Sequence, residues 1–265
     1  MRGLEIPSQL LMIYFLVHLR FVGMMFTSPV FLATAMPLPF RFLCAVLLTV
    51  AAGGAIGSGG ENFSVPMILF ESWVSIFVLA LRELLIGVSL GILTALPLTA
   101  MQVAGEQIGT AMGISMASVM DPLTQRQTSI VDQLQFMVGL WFYFRWNGHL
   151  LMAQAVVESL RIVPLAKLSL VPAGDMGLGE WLTAAFHLAM KIVVPFYCAL
   201  LLADVGLGFL ARTVPQMNIF ILGLPIKLAL GFFVLTAALP LTVDMIYEYL
   251  ERWIGFALSS VMAWQ

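Results

Sequence analysis

The stretch Gly105–Gln127 reads GEQIGTAMGISMASVMDPLTQRQ, the longest run in this apolar chain that mixes glycine, hydroxyl, methionine and charged residues. Small residues recur in it at every fourth position, at Gly105, Gly109, Gly113 and Ala117. On a helix, this spacing forms a ridge without side chains, against which a second backbone can pack closely. Glycine weakens an isolated helix by roughly 1 kcal/mol relative to alanine, so the ridge indicates close packing or bending.

Methionine recurs in the same stretch with the same period of four, at Met112, Met116 and Met120. Thioether side chains are flexible and polarizable, so this second stripe can adapt to neighbours of different shape. Asp121-Pro122 predicts the end of the helix, because the residue before a proline is pushed out of the α region. Two interpretations stay open: a tight helix-packing face followed by a loop, and a deformable constriction on a path through a membrane.

The composition is that of an integral membrane protein. Of 265 residues, 61% are hydrophobic and 10% charged, whereas soluble domains have roughly 45–50% and 25%. The apolar runs are continuous rather than alternating, so helices are the expected spanning elements. We expect no cleavable signal peptide, because the first apolar run continues beyond signal length without a small-residue cleavage site. The net charge is −2 without a polybasic tract, which argues against binding to nucleic acid.

Short and interrupted apolar runs predict broken helices. A spanning helix needs about 20 apolar residues, yet several runs are shorter or contain proline and glycine. The dipeptide Arg82-Glu83, for example, separates the third run from the fourth. Within the fourth run, Gly87 and Gly91 form a GxxxG pair, which is typical of close helix packing.

Three further segments indicate the organisation of the chain. Asn147-Gly148-His149 predicts a turn between two helices, and the Gly- and Pro-rich region Ser169–Trp181 is the best candidate for a boundary between two halves. Residues 244–265 form an amphipathic segment, which we expect to lie at a lipid interface or to dock on a partner. The apolar face of that segment contains Ile246, Leu250, Trp253, Ile254, Ala257 and Val261.

Ionisable residues inside or at the edges of the apolar runs require partners. A charge at the centre of a spanning helix costs at least about 2.5–3.5 kcal/mol on insertion scales, so such residues should pair or face protein or water. Asp204 and Lys191 are alternatively proton-relay groups, although ion pairs with neighbouring elements are favoured. The candidates for buried charges or partner contacts are Arg20, Arg82, Glu83, Glu106, Lys191, Asp204, Arg212 and Lys227.

The sequence contains no pattern that supports catalysis. Its three histidines are far apart, and none lies at metal-ligand spacing from another His or Cys. Ser115 and Ser118 have no His or Lys base at motif spacing, which argues against an intramembrane serine protease. Cys44 and Cys198 lie within apolar runs, where structural thiols are expected rather than a disulfide or a metal site. We therefore expect neither an enzyme nor a cofactor.

Three longer segments are specific enough to indicate a family. They are AGEQIGTAMGISMASVMDP (Ala104–Pro122), NGHLLMAQAVVESLRIVP (Asn147–Pro164) and LGFLARTVPQMNIFILGLPIKLALG (Leu207–Gly231). They closely resemble the FliR family of flagellar export-gate proteins and its counterparts in virulence type III secretion. The resemblance covers nearly the whole chain, with a departure at Gln125, where the family usually has glycine.

The resemblance implies an all-α integral membrane protein whose broken helical hairpins pack in a helical, conical hetero-oligomer. It implies a FliP-like half over residues 1–172, a FliQ-like half over 173–243 and the amphipathic C-terminal helix over 244–265. The implied partners are FliP-type and FliQ-type membrane subunits in several copies each, an FlhB-type switch protein, membrane lipid and exported unfolded flagellar proteins. The implied location is the flagellar basal body in the bacterial inner membrane.

The function implied by the resemblance is a core subunit of the flagellar type III export gate, with a loop around residues 105–127 that plugs the channel. Methionines there would form a compliant seal, apolar enough to exclude water and flexible enough to part for an unfolded chain. The alternative function is a secondary transporter with discontinuous helices around a midplane site. The residues implied for the plug are Gly109, Met112, Gly113, Ser115, Met116, Met120 and Asp121.

Overall fold

A computed structural model describes residues 8–28, 30–31, 37–58, 72–114, 130–163, 165, 178–214 and 219–262. No strand occurs among these residues, so the all-α prediction is confirmed for them. Their helices are α1 (Ser8–Thr27), α2 (Leu38–Ser58), α3 (Trp73–Ala111), α4 (Ile130–Arg145), α5 (Gly148–Ile162), α6 (Leu178–Thr213) and α7 (Ile219–Met262).

In the described part of the chain, four helices are long and apolar enough to cross a membrane. Their outward side chains are largely apolar, including Phe77 on α3, Leu202 on α6 and Phe233 on α7. Exposing this much apolar surface to water would be costly, at roughly 25 cal/mol per Å². Lipid or other membrane helices must therefore cover these faces. The spans are Leu10–Thr27, Trp73–Ala111, Gly179–Thr213 and Leu222–Met262.

The predicted breaks are wrong for the three longest helices. Helices α3, α6 and α7 continue over 39, 36 and 44 residues. Arg82-Glu83 lies inside α3 and does not separate two runs, because buried partners compensate both charges. Proline removes one backbone hydrogen bond, and membrane helices tolerate it where neighbouring helices and hydroxyl side chains satisfy the freed groups. The prolines within these helices are Pro97, Pro195, Pro225 and Pro240.

The chain divides into two compact units. Unit 1 contains Met1–Ala95, Asn147–Trp181 and Glu251–Gln265, and unit 2 contains Leu96–Trp146 and Leu182–Leu250. The two compact units are no test of the predicted FliP-like and FliQ-like halves, which stay a prediction. The candidate boundary between those halves lies mostly outside the described residues.

In unit 1, α1 and α2 form an antiparallel pair. The rings of Phe26 and Phe42 lie 5.3 Å apart near one end. His18 Nδ1 lies 3.4 Å from the Thr49 hydroxyl further along. Because residue numbers fall on α1 as they rise on α2, the two helices run in opposite directions.

Glycines bring α1 and α3 together in unit 1. A Cβ atom on Gly87 would overlap the carbonyl oxygen of Arg20, and one on Gly91 would lie 2.6 Å from the carbonyl oxygen of Met24. Gly23, which the sequence analysis did not single out, makes the reciprocal approach from α1 toward Leu84 on α3. Residue numbers rise together on the two helices, so α1 and α3 are parallel at a glycine-lined crossing.

In unit 2, α6 and α7 form an antiparallel pair. Asp204 on α6 contacts Lys227 on α7. Lys191 lies near the ring of Tyr249, nearer the other end of the pair. The register is thus fixed by polar contacts at two levels.

The predicted turn at residues 147–149 is confirmed. Helix α4 ends at Arg145 and α5 begins at Gly148. Asn147 has φ of 57°, in the left-handed region that asparagine tolerates better than most residues. Its carbonyl oxygen accepts hydrogen bonds from the amides of Leu150 (2.9 Å) and Leu151 (3.1 Å), which starts the next helix.

The C-terminal amphipathic segment is the continuation of α7 as far as Met262. Its predicted apolar face is buried within the chain at Ile246, Trp253 and Ala257. The prediction that this face docks on lipid or on a partner is therefore wrong for these residues, because their own chain covers them. The pattern of apolar residues revealed the face but could not reveal what covers it.

Candidate functional site at the end of α3

Helix α3 ends at Ala111, inside the glycine- and methionine-rich stretch Gly105–Gln127. The predicted end at Asp121-Pro122 is wrong, and Gly105 and Gly109 are the only members of the predicted ridge that lie in α3. Ser115, Met116, Met120 and Asp121, which the resemblance implies for the plug, lie outside the described residues.

A glycine turn terminates α3. Gly113 has φ of +82°, a conformation that glycine adopts without steric cost. The Gly113 amide donates to the Thr110 carbonyl oxygen at 3.0 Å, and the Ile114 amide donates to that of Gly109 at 3.1 Å. These two bonds constitute a Schellman motif, which satisfies the last carbonyl groups of a helix.

The end of α3 packs against α7 in unit 2. Met112 is fully buried, with 0% of its surface exposed. A Cβ atom on Gly231 would lie 2.5 Å from Met112 Cε, and one on Gly113 would lie 2.9 Å from Leu224 Cδ1. Met112, implied as a gate residue, is therefore a core residue of this chain. Gly231 leaves the space that the thioether fills, a role that its sequence context does not signal.

Helix α4 begins against the same end of α3. A Cβ atom on Gly105 would lie 2.9 Å from the Val131 carbonyl oxygen and 3.0 Å from the Asp132 amide nitrogen. Gly105 and Gly113 are separated by about 12 Å along the helix, at 1.5 Å per residue. The described residues on either side of residues 115–129, which we call the connecting segment, thus contact α3 within about two turns of each other.

A buried ionic network joins three helices of unit 1. Arg20 Nε donates to Glu83 Oε2 at 2.6 Å, and Arg82 Nη1 donates to Glu83 Oε1 at 3.3 Å. Arg20 also donates to the Ser159 hydroxyl at 2.9 Å and to the Val163 carbonyl oxygen at 3.4 Å, both from the α5 region. All three charged side chains are fully buried. These three charges pair, as expected for ionisable residues in apolar helices. The hydrogen bonds that Ser159 and Val163 accept from Arg20 could not be predicted from any pattern in the sequence.

Asp204 and Lys227 form another ion pair in the membrane-spanning helices. Lys227 Nζ lies 2.5 Å from Asp204 Oδ1, and the side chains are 25% and 48% exposed. The pair joins α6 to α7, in line with the interpretation of Asp204 as a structural rather than a proton-relay group. Half of the carboxylate nevertheless faces outward from the chain.

The remaining charged candidates lie on the surface of unit 2. Lys191 Nζ lies 5.6 Å from the centroid of the Tyr249 ring, within cation–π distance. Glu106 and Arg212 are exposed, and neither has an ion-pair partner among the described residues. These three residues are therefore open to contacts from outside the chain.

Long apolar helices, a glycine crossing and buried ion pairs define this chain as a polytopic α-helical membrane protein. The model of the family described as "Bacterial export proteins, family 1" matches residues 11–253. The chain belongs to this family, which confirms the resemblance noted from its sequence.

Individual relatives come from both flagellar and virulence systems. The chain is 27% identical over 230 residues to "Flagellar biosynthetic protein FliR" of Escherichia coli K12, covering 86% of this chain and 85% of that protein. It is 33% identical over 161 residues to FliR of Bacillus subtilis, covering 59% and 62%. It is 25% identical over 240 residues to "Secretion system apparatus protein SsaT" of Salmonella typhimurium, covering 82% and 92%. The chain is accordingly a membrane-embedded component of flagellar or type III protein export.

Proposed function

We propose that this chain is a core subunit of the flagellar type III export gate, which forms and plugs the channel for unfolded flagellar proteins across the bacterial inner membrane. It has no catalytic activity, and other components supply the energy. It assembles with FliP-type and FliQ-type subunits in several copies each, in a helical, conical complex that an FlhB-type protein contacts.

The observation that carries the plug assignment is the attachment of the connecting segment at both of its ends. On one side, the Schellman motif fixes the direction in which the chain leaves α3. On the other side, Gly105 holds the start of α4 against α3. Residues 112–129 separate the end of α3 from the start of α4. A long segment with both ends fixed can close a channel and open again without detaching.

The position of Met112 in the core, before the two methionines of the connecting segment, supports the same role. Met112 is part of the core and holds the end of α3 against α7. Met116 and Met120 follow in the connecting segment, where a compliant apolar seal requires them. In this proposal the seal moves while its attachment stays in place.

The exposed ion pair favours a gate subunit over a secondary transporter. Of the candidates for ion coupling in a transporter, Asp204, Lys191 and Glu106, Asp204 is paired with Lys227. A pair whose side chains are 25% and 48% exposed in a spanning hairpin is unsuited to lipid and needs protein or water beside it. A channel enclosed by membrane subunits provides that environment.

The test is removal of the middle of the connecting segment, residues 115–122, which spares both the Schellman motif and the Gly105 contact. We expect the complex to assemble and the inner membrane to leak ions, measured as the collapse of a potassium or proton gradient in cells. As a matched control, the same residues are replaced by an equal number of Gly and Ser residues, which keeps the length and removes the methionines. A deletion that stays tight to ions while export continues normally would refute the plug.

A further inference from the structure

The outward face of α3 changes its chemical character along the helix. In unit 1 its exposed side chains are apolar, with Trp73 88%, Phe77 67% and Ile92 48% exposed. In unit 2, over residues 96–111, the inward side remains apolar and buried, but most of the exposed side chains are polar. Those polar side chains are Gln102, Glu106, Gln107 and Thr110.

Polar side chains continue from α3 onto α6. Gln102, Glu106 and Thr110 recur every four residues and share one stripe of α3. Beside them, Gln107 Oε1 accepts a hydrogen bond of 2.9 Å from the Tyr197 hydroxyl on α6. Asp204 follows Tyr197 by seven residues, which places both on one face of α6. We call this surface the polar track; it comprises Gln102, Glu106, Gln107, Thr110, Tyr197 and Asp204.

Lipid is unsuited to cover the polar track. All six residues belong to helices that are apolar and long enough to span a membrane. Glu106 is exposed and has no ion-pair partner among the described residues. Asp204 pairs with Lys227, but about half of its side chain is exposed. Carboxylates at such positions face protein or a water-filled cavity, because hydrocarbon does not solvate them.

The polar track leads to the connecting segment. Thr110 lies within one turn of Gly113, where α3 ends and the connecting segment follows. The opposite side of α3 at this level is fixed in the core through Ile108 and Met112. The polar track therefore ends within one turn of the point at which the chain enters the segment proposed as the plug.

We propose that the polar track is a contact surface for the exported polypeptide, which passes it in an extended conformation. This inference rests on the proposed gate function and names the surface next to the plug. An extended chain presents backbone amide and carbonyl groups continuously, and the amides, hydroxyls and carboxylates of the track offer exchangeable partners to any sequence. The two carboxylates give the track a preference for basic segments.

Site-specific photo-crosslinking tests the proposal in cells that carry the complete export apparatus. The photo-reactive residue p-benzoylphenylalanine replaces Glu106 or Thr110, and at control sites it replaces Phe77 or Ile92, which are exposed on the apolar part of the same helix. An export substrate fused to a tightly folded domain stalls in the channel. We expect adducts with the stalled substrate from Glu106 and Thr110 and none from Phe77 or Ile92. Adducts only with membrane subunits, unchanged by the substrate, would identify the track as a subunit interface and overturn the proposal.

A labelling experiment separates a substrate path from a surface that merely faces bulk water. In a chain carrying Cys44→Ala and Cys198→Ala, the variant Glu106→Cys is labelled with a charged maleimide. We expect the stalled substrate to slow its labelling at least fivefold, whereas Arg161→Cys on α5, which is also exposed, keeps its rate. Equal rates at Glu106→Cys with and without the substrate would overturn the proposal.

The proposed function and the proposal for the polar track can be refuted independently. Deletion of residues 115–122 tests the seal alone, because it leaves every residue of the track in place. If the deletion variant leaks ions but the photo-crosslinking variants give no substrate adducts, the proposal for the track is refuted and the plug is supported. If the photo-crosslinking variants give substrate adducts but the deletion variant stays tight to ions, the track is supported and the plug is refuted.

Discussion

The buried carboxylate of Glu83 should be indispensable to the fold of unit 1. It lies between the guanidinium groups of Arg20 and Arg82, and all three side chains are fully buried. Glu83→Gln keeps nearly the same shape and removes the negative charge. The buried guanidinium groups of Arg20 and Arg82 would then lose the carboxylate that they share.

The expected cost follows from the burial of the network. Removal of one partner from a buried ion pair typically costs about 3–5 kcal/mol, because the remaining charge is left uncompensated. The chain contains a matched control in Arg161 and Glu158, which pair at 3.3 Å with side chains 54% and 44% exposed. Glu158→Gln should cost no more than about 1 kcal/mol, since solvent screens exposed pairs. The two variants should thus differ by at least about 2 kcal/mol.

Unfolding of the detergent-purified chain and its steady-state amount in cell membranes measure this difference. We expect Glu83→Gln to unfold at clearly lower temperature and to fall several-fold in abundance, since 1–2 kcal/mol already changes abundance to that extent. Arg20→Lys keeps the charge but loses the forked geometry that reaches Ser159, so its loss should be intermediate. If Glu83→Gln and Glu158→Gln were equally stable, the buried network would not hold unit 1 together.

Three further contacts can be tested by substitution. Gly87→Ala places a Cβ atom against the backbone of α1 and should destabilise the chain by about 1–3 kcal/mol. In the control Gly206→Ala, the new Cβ atom meets nothing within 4 Å, so this variant should be neutral or stabilising. Equal thermal unfolding of the two variants would contradict the glycine crossing. Gly113→Ala forces a φ of +82° on a residue with Cβ at a cost of about 1–2 kcal/mol, and ion flux should rise; an unchanged flux would contradict the role of the Schellman motif. Asp204→Asn should change the stability of the detergent-purified chain by about 1 kcal/mol or less, because its pair with Lys227 is partly exposed. It should nevertheless lower the rate of export, because this carboxylate belongs to the polar track, and undiminished export would contradict that role.

Features that depend on local spacing could be predicted from the sequence. Continuous apolar runs predicted an all-α membrane protein, and the described residues confirm the helices. The turn at Asn147 was predictable because the pattern Asn-Gly-His interrupts two apolar runs. The GxxxG spacing of Gly87 and Gly91 indicated a packing face, and both glycines lie against α1.

Features that depend on a distant partner could not be predicted from the sequence. Arg82-Glu83 resembled a break because charges end most apolar runs, whereas in the structure Arg20, 63 positions earlier, pairs with Glu83 inside α3. Likewise, nothing near Met112 indicates that Gly231 leaves room for it in α7. The apolar face at the end of α7 was visible in its spacing, but its cover comes from elsewhere in the chain.

Native mass spectrometry of this chain, co-expressed with its two proposed membrane partners and purified in detergent, is the decisive test of its assignment as an export-gate subunit. We expect one copy of this chain bound to several copies of each partner. Glu83→Gln should reduce the amount of that complex, whereas Glu158→Gln should not. A monomer or homodimer that binds neither partner would contradict the assignment as an export-gate subunit.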